Sequence, residues 1–288
     1  MTIDLIHHAV INPDAPAESL EAKQPHIDNG ADRFAKDGYF CRDYMQKEWE
    51  KLWTQSWLLA GVTADVSEVG DFFVFDIRDE SILVTRTDQG LRAFYNVCSH
   101  RGCRLVHEEK GHKNVFVCPF HRWSFDNNGA LRRITDETTF QQEVISQRPG
   151  LTPVACEQHA GLVFVSMSEA PPPLREMIGL PDGYLEAYKI DQMRVVRHVQ
   201  TEWAANWKVG VEAFYESYHL HSVHPETRGV MGDLNVQYDL YPHGASRMIV
   251  PLGQPSPRFE DQETVNEGLQ IMLREAGVDP QSFRGSAA

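Results

Sequence analysis

Cys98-Ser99-His100-Arg101-Gly102 and Cys118-Pro119-Phe120-His121 bracket the stretch that decides how this chain is read. Four metal-binding side chains arrive there as Cys-x-His and then Cys-x-x-His. A structural zinc site usually spaces paired ligands by about two to four residues, because both must reach one tetrahedral ion. The single residue between Cys98 and His100 instead suits two ligands that point at different metals. Gly102 tolerates a positive φ and Pro119 fixes its own, so both loops can turn tightly beside a metal centre. A zinc site, or four residues that merely neighbour one another in sequence, remains the alternative.

Composition narrows the class. The 288 residues allow one large domain or two ordinary ones, and 42% hydrophobic content is enough for a real core. A net charge of −14 without a basic run argues against nucleic acid or an anionic membrane as partner. No apolar run reaches the roughly 20 residues of a membrane span, and MTIDLIHHAV lacks the pattern of a secretory leader, so a cytoplasmic location is expected. Five scattered cysteines do not form a disulfide framework, and those at metal spacing read as ligands. Cys41 and Cys156 belong to no motif and are expected to be half-buried.

Around the central stretch the pattern is mostly β. Residues 1–36 carry Pro13, Pro16 and Pro25 with little periodicity and read as a loose arm, with His7, His8 and His26 solvated. Met45, Trp49, Leu52, Trp53 and Trp57 fall near helical spacing between Asp43 and Trp57, predicting an amphipathic helix whose aromatic stripe joins the core. DFFVFDI at 71–77, SILVTRT at 81–87 and LRAFYNV at 91–97 alternate between turn signals, which predicts an antiparallel meander running into Cys98. NVFVCPF delivers Cys118, and the turn residues 126–129 close a further hairpin. GLVFVSM at 161–167 reads as the last strand, and Pro171-Pro172-Pro173 as a boundary.

A second constellation, Glu216-Ser217-Tyr218-His219-Leu220-His221-Ser222-Val223-His224-Pro225, follows the boundary. Helical propensity is fair from Trp207, and Pro225 stops the helix. On a regular helix Glu216 and His219 share a face, whereas His219 and His224 lie about 140° apart. One metal can take both histidines only if the helix ends or distorts between them. His221 shares a face with His224 but points away from His219.

Together these residues are similar to those of the α subunits of Rieske non-haem iron oxygenases, the ring-hydroxylating and demethylating family, over roughly residues 40–255. The resemblance implies a [2Fe-2S] cluster with Cys98 and Cys118 on one iron and His100 and His121 on the other, at a potential of about −150 to +300 mV. Respiratory Rieske proteins carry a disulfide at the positions of Cys103 and Phe120, and the phenylalanine forbids it here. The resemblance also implies a mononuclear Fe(II) on His219 and His224. It places Glu216 where an acidic residue bridges the metal centres of neighbouring subunits. Two departures stand out: Arg122 where a glycine usually follows the second cluster histidine, and Ala213 where many relatives carry an asparagine.

The implied fold is α+β, an antiparallel β Rieske domain followed by an incomplete α+β mononuclear-iron domain. The expected division is an arm at 1–42, the Rieske domain with its lead-in helix at 43–170, and the first part of the catalytic domain at 171–288. The family draws its third iron ligand, usually an aspartate, from far downstream of the second histidine. Asp233, Asp239, Glu260, Asp261, Glu263, Glu267, Glu275 and Asp279 are the acids available, and none stands in a matching context. Residues 261–276 read as a surface helix with solvated acids, and the chain as a fragment or deletion product of a longer subunit. The implied activity is that of a terminal oxygenase, fed from NAD(P)H by a reductase with or without a ferredoxin. It would use O2 on an aromatic or other apolar small molecule, within a homo-oligomer expected to be a trimer. The alternatives are a Rieske-type electron carrier lacking the third iron ligand, and a zinc-stabilised interaction module.

Overall fold

The computed structural model describes residues 34–227, 229–234 and 236–252, with Ser256, Arg258, Gln270, Ile271, Arg274, Gly277 and Asp279 beyond them. His7, His8, His26 and most of the proposed arm lie outside the described residues. So do Glu260, Asp261, Glu263, Glu267 and Glu275. Two compact units emerge, Cys41–Gln200 and, separately, residues from Thr201 onward with residues 34–40.

In the first unit the helix predicted near Asp43 forms as α1, Arg42–Glu48, continued by a wider π-helical turn at Trp49–Trp53. Its aromatic stripe reaches the core only in part: no residue of either segment is fully buried, but Trp53 packs half-buried against the cluster that includes Phe73 and Val84. Trp49 instead takes the Arg78 guanidinium over its ring at 5.1 Å, and the Trp57 indole N–H donates to the Pro172 carbonyl at 2.8 Å. Amphipathic tryptophans gain from such half-wet positions, where the ring is covered and the polar edge is satisfied.

The predicted meander forms as β2 (Asp71–Ile77), β3 (Glu80–Thr87) and β4 (Gly90–Tyr95). With β1 (Leu58–Val62), β5 (Lys110–His112), β9 (Pro153–His159) and β10 (Leu162–Ser166) they make a seven-stranded antiparallel sheet in the order β1-β10-β9-β4-β3-β2-β5. The pleat sends alternate side chains to opposite faces. Phe72, Leu83 and Phe94 therefore face one apolar cluster and Phe73, Ile82, Val84 and Ala93 the other, so the sheet is buried on both sides.

A smaller sheet of β6 (Val115–Val117), β7 (Ser124–Asp126) and β8 (Leu131–Arg133) covers the first of these faces. Phe116 of the small sheet meets Phe72 of the large one edge-on, ring centres 5.6 Å apart. Burying a phenylalanine of this kind stabilises by roughly 1.5–3 kcal/mol. Cys98, Cys118 and Trp123 belong to the same cluster, so the packing of the two sheets fixes where both metal-binding loops begin. Gly129, at φ +84, turns β7 into β8 against the Phe94 ring, where an added Cβ would lie 2.3 Å from a ring carbon.

The second unit contains α2 (Trp207–Glu212), α3 (Leu220–Val223) and a hairpin of β11 (Gln237–Leu240) and β12 (Ser246–Ile249). Asn206 caps α2 by accepting the Lys208 N–H at 3.0 Å. The continuous helix expected from Trp207 to His224 is interrupted after Glu212. Glu216 accepts the backbone N–H of His219, and the Ser217 N–H donates to the Tyr238 hydroxyl. These bonds draw off donors that a continuous helix would need. Gln270, Ile271 and Arg274, from the stretch predicted as a surface helix, are helical and exposed. Among the described residues no helix is long and apolar enough to cross a membrane.

Candidate metal centres

Two loops of matching design leave the packed sheets. Each closes with the amide of the fifth residue donating to the carbonyl of its leading cysteine, Gly102 to Cys98 and Arg122 to Cys118, both at 3.0 Å. Each closing residue is left-handed, Gly102 at φ +71 and Arg122 at φ +62.

The loops bring His100 and His121 together. Their Nδ1 atoms stand 3.1 Å apart and their ring centres 4.6 Å. Two imidazole nitrogens pointing at one another at this distance are poised to share a metal, since bonds of about 2.1 Å from one ion span it. Trp123 stacks flat on His100, ring centres 4.5 Å apart at 12°, and holds that imidazole in plane. Phe120, 62% exposed, lies against His121.

Cys98 and Cys118 are buried, and their thiols are in hydrogen-bond contact with one another. Burial pushes the Cys98 thiol up to about 11. At Cys118 burial acts the same way, but the N–H groups of Phe120 and His121 outweigh it and hold the thiol below its ordinary value. His100 is held below the usual imidazole range by burial, then by the charges of His121, Arg148 and Arg101. Two thiols on one side and two convergent imidazoles on the other suit a [2Fe-2S] centre with a pair of cysteines on one iron and a pair of histidines on the other. A tetrahedral zinc site does not require the two imidazole nitrogens to form a separate pair.

Cys103 points its thiol at the Arg104 carbonyl at 3.4 Å and also contacts Cys118. All five cysteines are free, and Cys41 and Cys156 are half-buried.

The second site stands on α3. His219 caps the start of this single helical turn and His224 its end, where the backbone departs to φ −123, ψ 62. This break meets the condition set by the helical period: the ring centres lie 5.5 Å apart at 70°. Glu216 grips His219 twice, Oε1 with Nδ1 at 2.5 Å and Oε2 with the backbone N–H at 3.1 Å. The Glu216 carboxyl is pushed up by burial, yet the His219 bonds outweigh this and leave it below the usual range. Glu226 stands 3.5 Å from His224 Nδ1. The Glu216 bond fixes the His219 tautomer and leaves its Nε2 for a metal, while His224 only has a carboxylate near its Nδ1. His221 is half-buried and spends its Nδ1 on the Tyr218 carbonyl at 2.6 Å.

A third donor does not join them among the described residues, where no group of three or more His, Cys, Asp or Glu side chains gathers at metal-holding distance. Asp233 is buried with Arg258 at 3.1 Å, Asp239 is buried between Gln237 and Arg247, and Asp279 is exposed. The sequence reading missed Trp123 and Glu226 as supports of a ligand ring. The aromatic two residues beyond His121 was the available signal for the first.

A model of the Rieske [2Fe-2S] domain matches residues 56–146, and one of the ring hydroxylating alpha subunit catalytic domain matches residues 190–275. The chain is 34% identical to the glycine betaine monooxygenase oxygenase subunit of Chromohalobacter salexigens, covering 62% of this chain and 40% of that protein. It is 32% identical to the carnitine monooxygenase oxygenase subunit of Escherichia coli K12, over 71% and 54%. A crystal structure of a quaternary ammonium Rieske monooxygenase with L-carnitine superposes with a TM-score of 0.60 at 30% identity, over 67% of this chain and 55% of that one. The chain therefore spans about half the length of the relatives it matches. Rieske domains bind a [2Fe-2S] cluster and this catalytic domain a mononuclear iron. With the first domain followed by a segment of the second, the chain belongs to the Rieske oxygenase α subunits.

Proposed function

We propose that the chain is the oxygenase component of an NAD(P)H-driven system that hydroxylates or demethylates a small molecule. Cys98, Cys118, His100 and His121 hold the [2Fe-2S] cluster, and His219 and His224 hold a ferrous ion with a further carboxylate. A partner reductase, with or without a ferredoxin, supplies the electrons, and the working form is a cytoplasmic homo-oligomer, proposed as a trimer. The reading keeps the division into an arm at 1–42, a Rieske domain at 43–170 and catalytic sequence from 171. The observation that carries it is the approach of the His100 and His121 Nδ1 atoms to 3.1 Å.

When bound, the cluster supplies one-electron storage and the ferrous ion an open site for O2. The chain's own residues do the rest. Trp123 braces His100 so that its Nδ1 stays aimed beside that of His121. Glu216 keeps the His219 proton on Nδ1 and frees Nε2 as a donor. In the oligomer Glu216 bridges toward the cluster histidines of a neighbouring subunit.

Quaternary ammonium compounds are the favoured substrates. The relatives at 34% and 32% identity are named for glycine betaine and carnitine. Trp203, Trp207, Phe214 and Tyr215 line a cavity of about 570 Å³. Aromatic faces of this kind suit a quaternary ammonium cation. Aromatic ring hydroxylation is the second reading, supported by the 28% identical anthranilate 1,2-dioxygenase large subunit of Acinetobacter baylyi. An electron carrier is the third.

Purified protein, reconstituted with iron and a compatible reductase, is tested with glycine betaine, carnitine and anthranilate. Substrate-dependent NADH oxidation with formaldehyde or hydroxylated product supports the oxygenase. A normal Rieske spectrum with about two irons per chain and no product with any substrate supports the carrier.

A further inference from the structure

The outer face of the small sheet carries a group of side chains that neither metal site uses. Alternation sends Phe116 and Phe125 inward to the packed cluster and leaves Val115, Val117 and Ser124 on the opposite face. These three line a cavity of about 550 Å³ together with Arg122, Arg132, Arg133 and Thr135. The volume lies within the range of small-molecule sites, roughly 300–1,000 Å³.

Two departures from regular backbone bring the arginines to this one cavity. Arg132 and Arg133 are neighbours in sequence, and a regular strand would send them to opposite faces. The register shifts between the pairs Phe125↔Leu131 and Ser124↔Arg133, so Arg132 is the extra residue of a β-bulge and lines the same cavity as Arg133. Arg122 sits at φ +62, where glycine is free and other residues are disfavoured, and the equivalent place in the other loop is Gly102. A side chain kept in such a conformation points to use of its head group.

The charge of these arginines is uncompensated. All three are exposed, and no carboxylate among the described residues pairs with them. Asp126, which shares the face through its pairing with Val115, is occupied by the N–H groups of Asn128 and Ala130. Ser124 is an independent sign of a ligand. It is only 8% exposed, yet its hydroxyl has no hydrogen-bond partner among the described residues. A buried hydroxyl in that state costs free energy until a ligand or water completes it.

We infer that this face is a binding site for the phosphate group of a small molecule. Guanidinium forks match phosphate oxygens, and the Ser124 and Thr135 hydroxyls add neutral donors. A phosphate group brings about −1.5 to −2 charges and three strong acceptor oxygens, whereas a single carboxylate brings one charge and two oxygens. Val115 and Val117 offer apolar ground for an organic substituent, so an ester fits the cavity better than free phosphate. None of these side chains is a proposed metal ligand, and the inference stands whatever the neighbouring loops hold.

The test titrates the full chain as purified with phenyl phosphate, inorganic phosphate and citrate by calorimetry at fixed ionic strength. The double variant Arg132→Gln, Arg133→Gln and the single variant Ser124→Ala are titrated in the same way. Phenyl phosphate is expected to bind saturably at one site per chain, more tightly than inorganic phosphate. The double variant weakens it by about 10- to 100-fold and Ser124→Ala by roughly 2- to 10-fold, as charged and neutral hydrogen bonds require. Phenyl phosphate also raises the unfolding temperature of the wild type and leaves that of the double variant in place. No saturable binding to the wild type overturns the site. So does undiminished binding to the double variant. Citrate binding more tightly than phenyl phosphate overturns the choice of phosphate. Inorganic phosphate binding as tightly as the ester supports the phosphate site and overturns the part given to Val115 and Val117.

Discussion

Gly102 and Arg122 hold equivalent places in the two metal-binding loops, each donating its amide at 3.0 Å to the carbonyl of the cysteine four residues earlier and each lying in the left-handed region. Only one of them is a glycine. The loops therefore tolerate different substitutions, although their hydrogen bonding is the same.

Arg122→Gly is expected to leave the cluster intact and raise stability by roughly 0.5–1 kcal/mol, less the entropy a glycine adds to the unfolded chain. Gly102→Ala is expected to destabilise by about 1–2 kcal/mol, because its Cβ meets the left-handed penalty. Denaturant unfolding of both variants with the cluster bound measures the difference. Equal effects of the same sign would show that the loop closures are not equivalent.

Cys118→Ser is expected to abolish the cluster, measured as iron and acid-labile sulfide per chain, since the thiolate is the iron ligand. Cys103→Ser is expected to retain it. Cys103 touches Cys118 but directs its thiol at the Arg104 carbonyl. Loss of iron in both variants would make Cys103 a ligand and revise the donor set.

His219→Ala and His224→Ala are each expected to lower iron by about one atom per chain without altering the Rieske spectrum, whereas His221→Ala leaves iron unchanged. Glu216→Gln keeps a hydrogen-bonding group on His219 but removes the charge that polarises it. A weakening of iron affinity by about 10- to 100-fold is expected, read by competition with a chelator. An effect of His221→Ala as large as that of His219→Ala would reassign the ligand pair.

Asp71 faces His112 across β2 and β5, Oδ1 to Nδ1 at 2.9 Å, and this bond, with the Glu68 N–H, holds its carboxyl below the usual range. A depressed carboxyl contributes stability above its unfolded value of 3.8 and loses it as pH falls through the lower folded value. Asp71→Asn is therefore expected to destabilise the first unit by roughly 0.5–1 kcal/mol at pH 7, with the gap to wild type closing below about pH 4. A gap that persists unchanged into acid would assign the effect to packing.

Much of the first unit was legible because its signals are local. The alternation at 71–77, 81–87 and 91–97 became β2, β3 and β4 with shifts of a residue or two at their ends. Residues 58–62, 110–112 and 153–159 gave no comparable warning. β1 and β9 are short of clean alternation, and β5 is an exposed Lys-Gly-His ordered by pairing with β2. The aromatic stripe of α1 and the turn after it meets the core only through Trp53, because spacing reports a face, not what covers it. At the second site, spacing gave the condition of a broken helix between His219 and His224. The break itself depends on Glu216 reaching back to its own chain and on Tyr238 arriving from a distant strand, which no local pattern displays.

The most direct test of the account is the electron-spin-resonance spectrum of the dithionite-reduced protein, taken with iron and sulfide analysis on the same sample. The account predicts a Rieske-type [2Fe-2S] signal with a midpoint potential within about −150 to +300 mV, lost in His121→Ala. A colourless protein holding one zinc ion on Cys98, His100, Cys118 and His121 would contradict it.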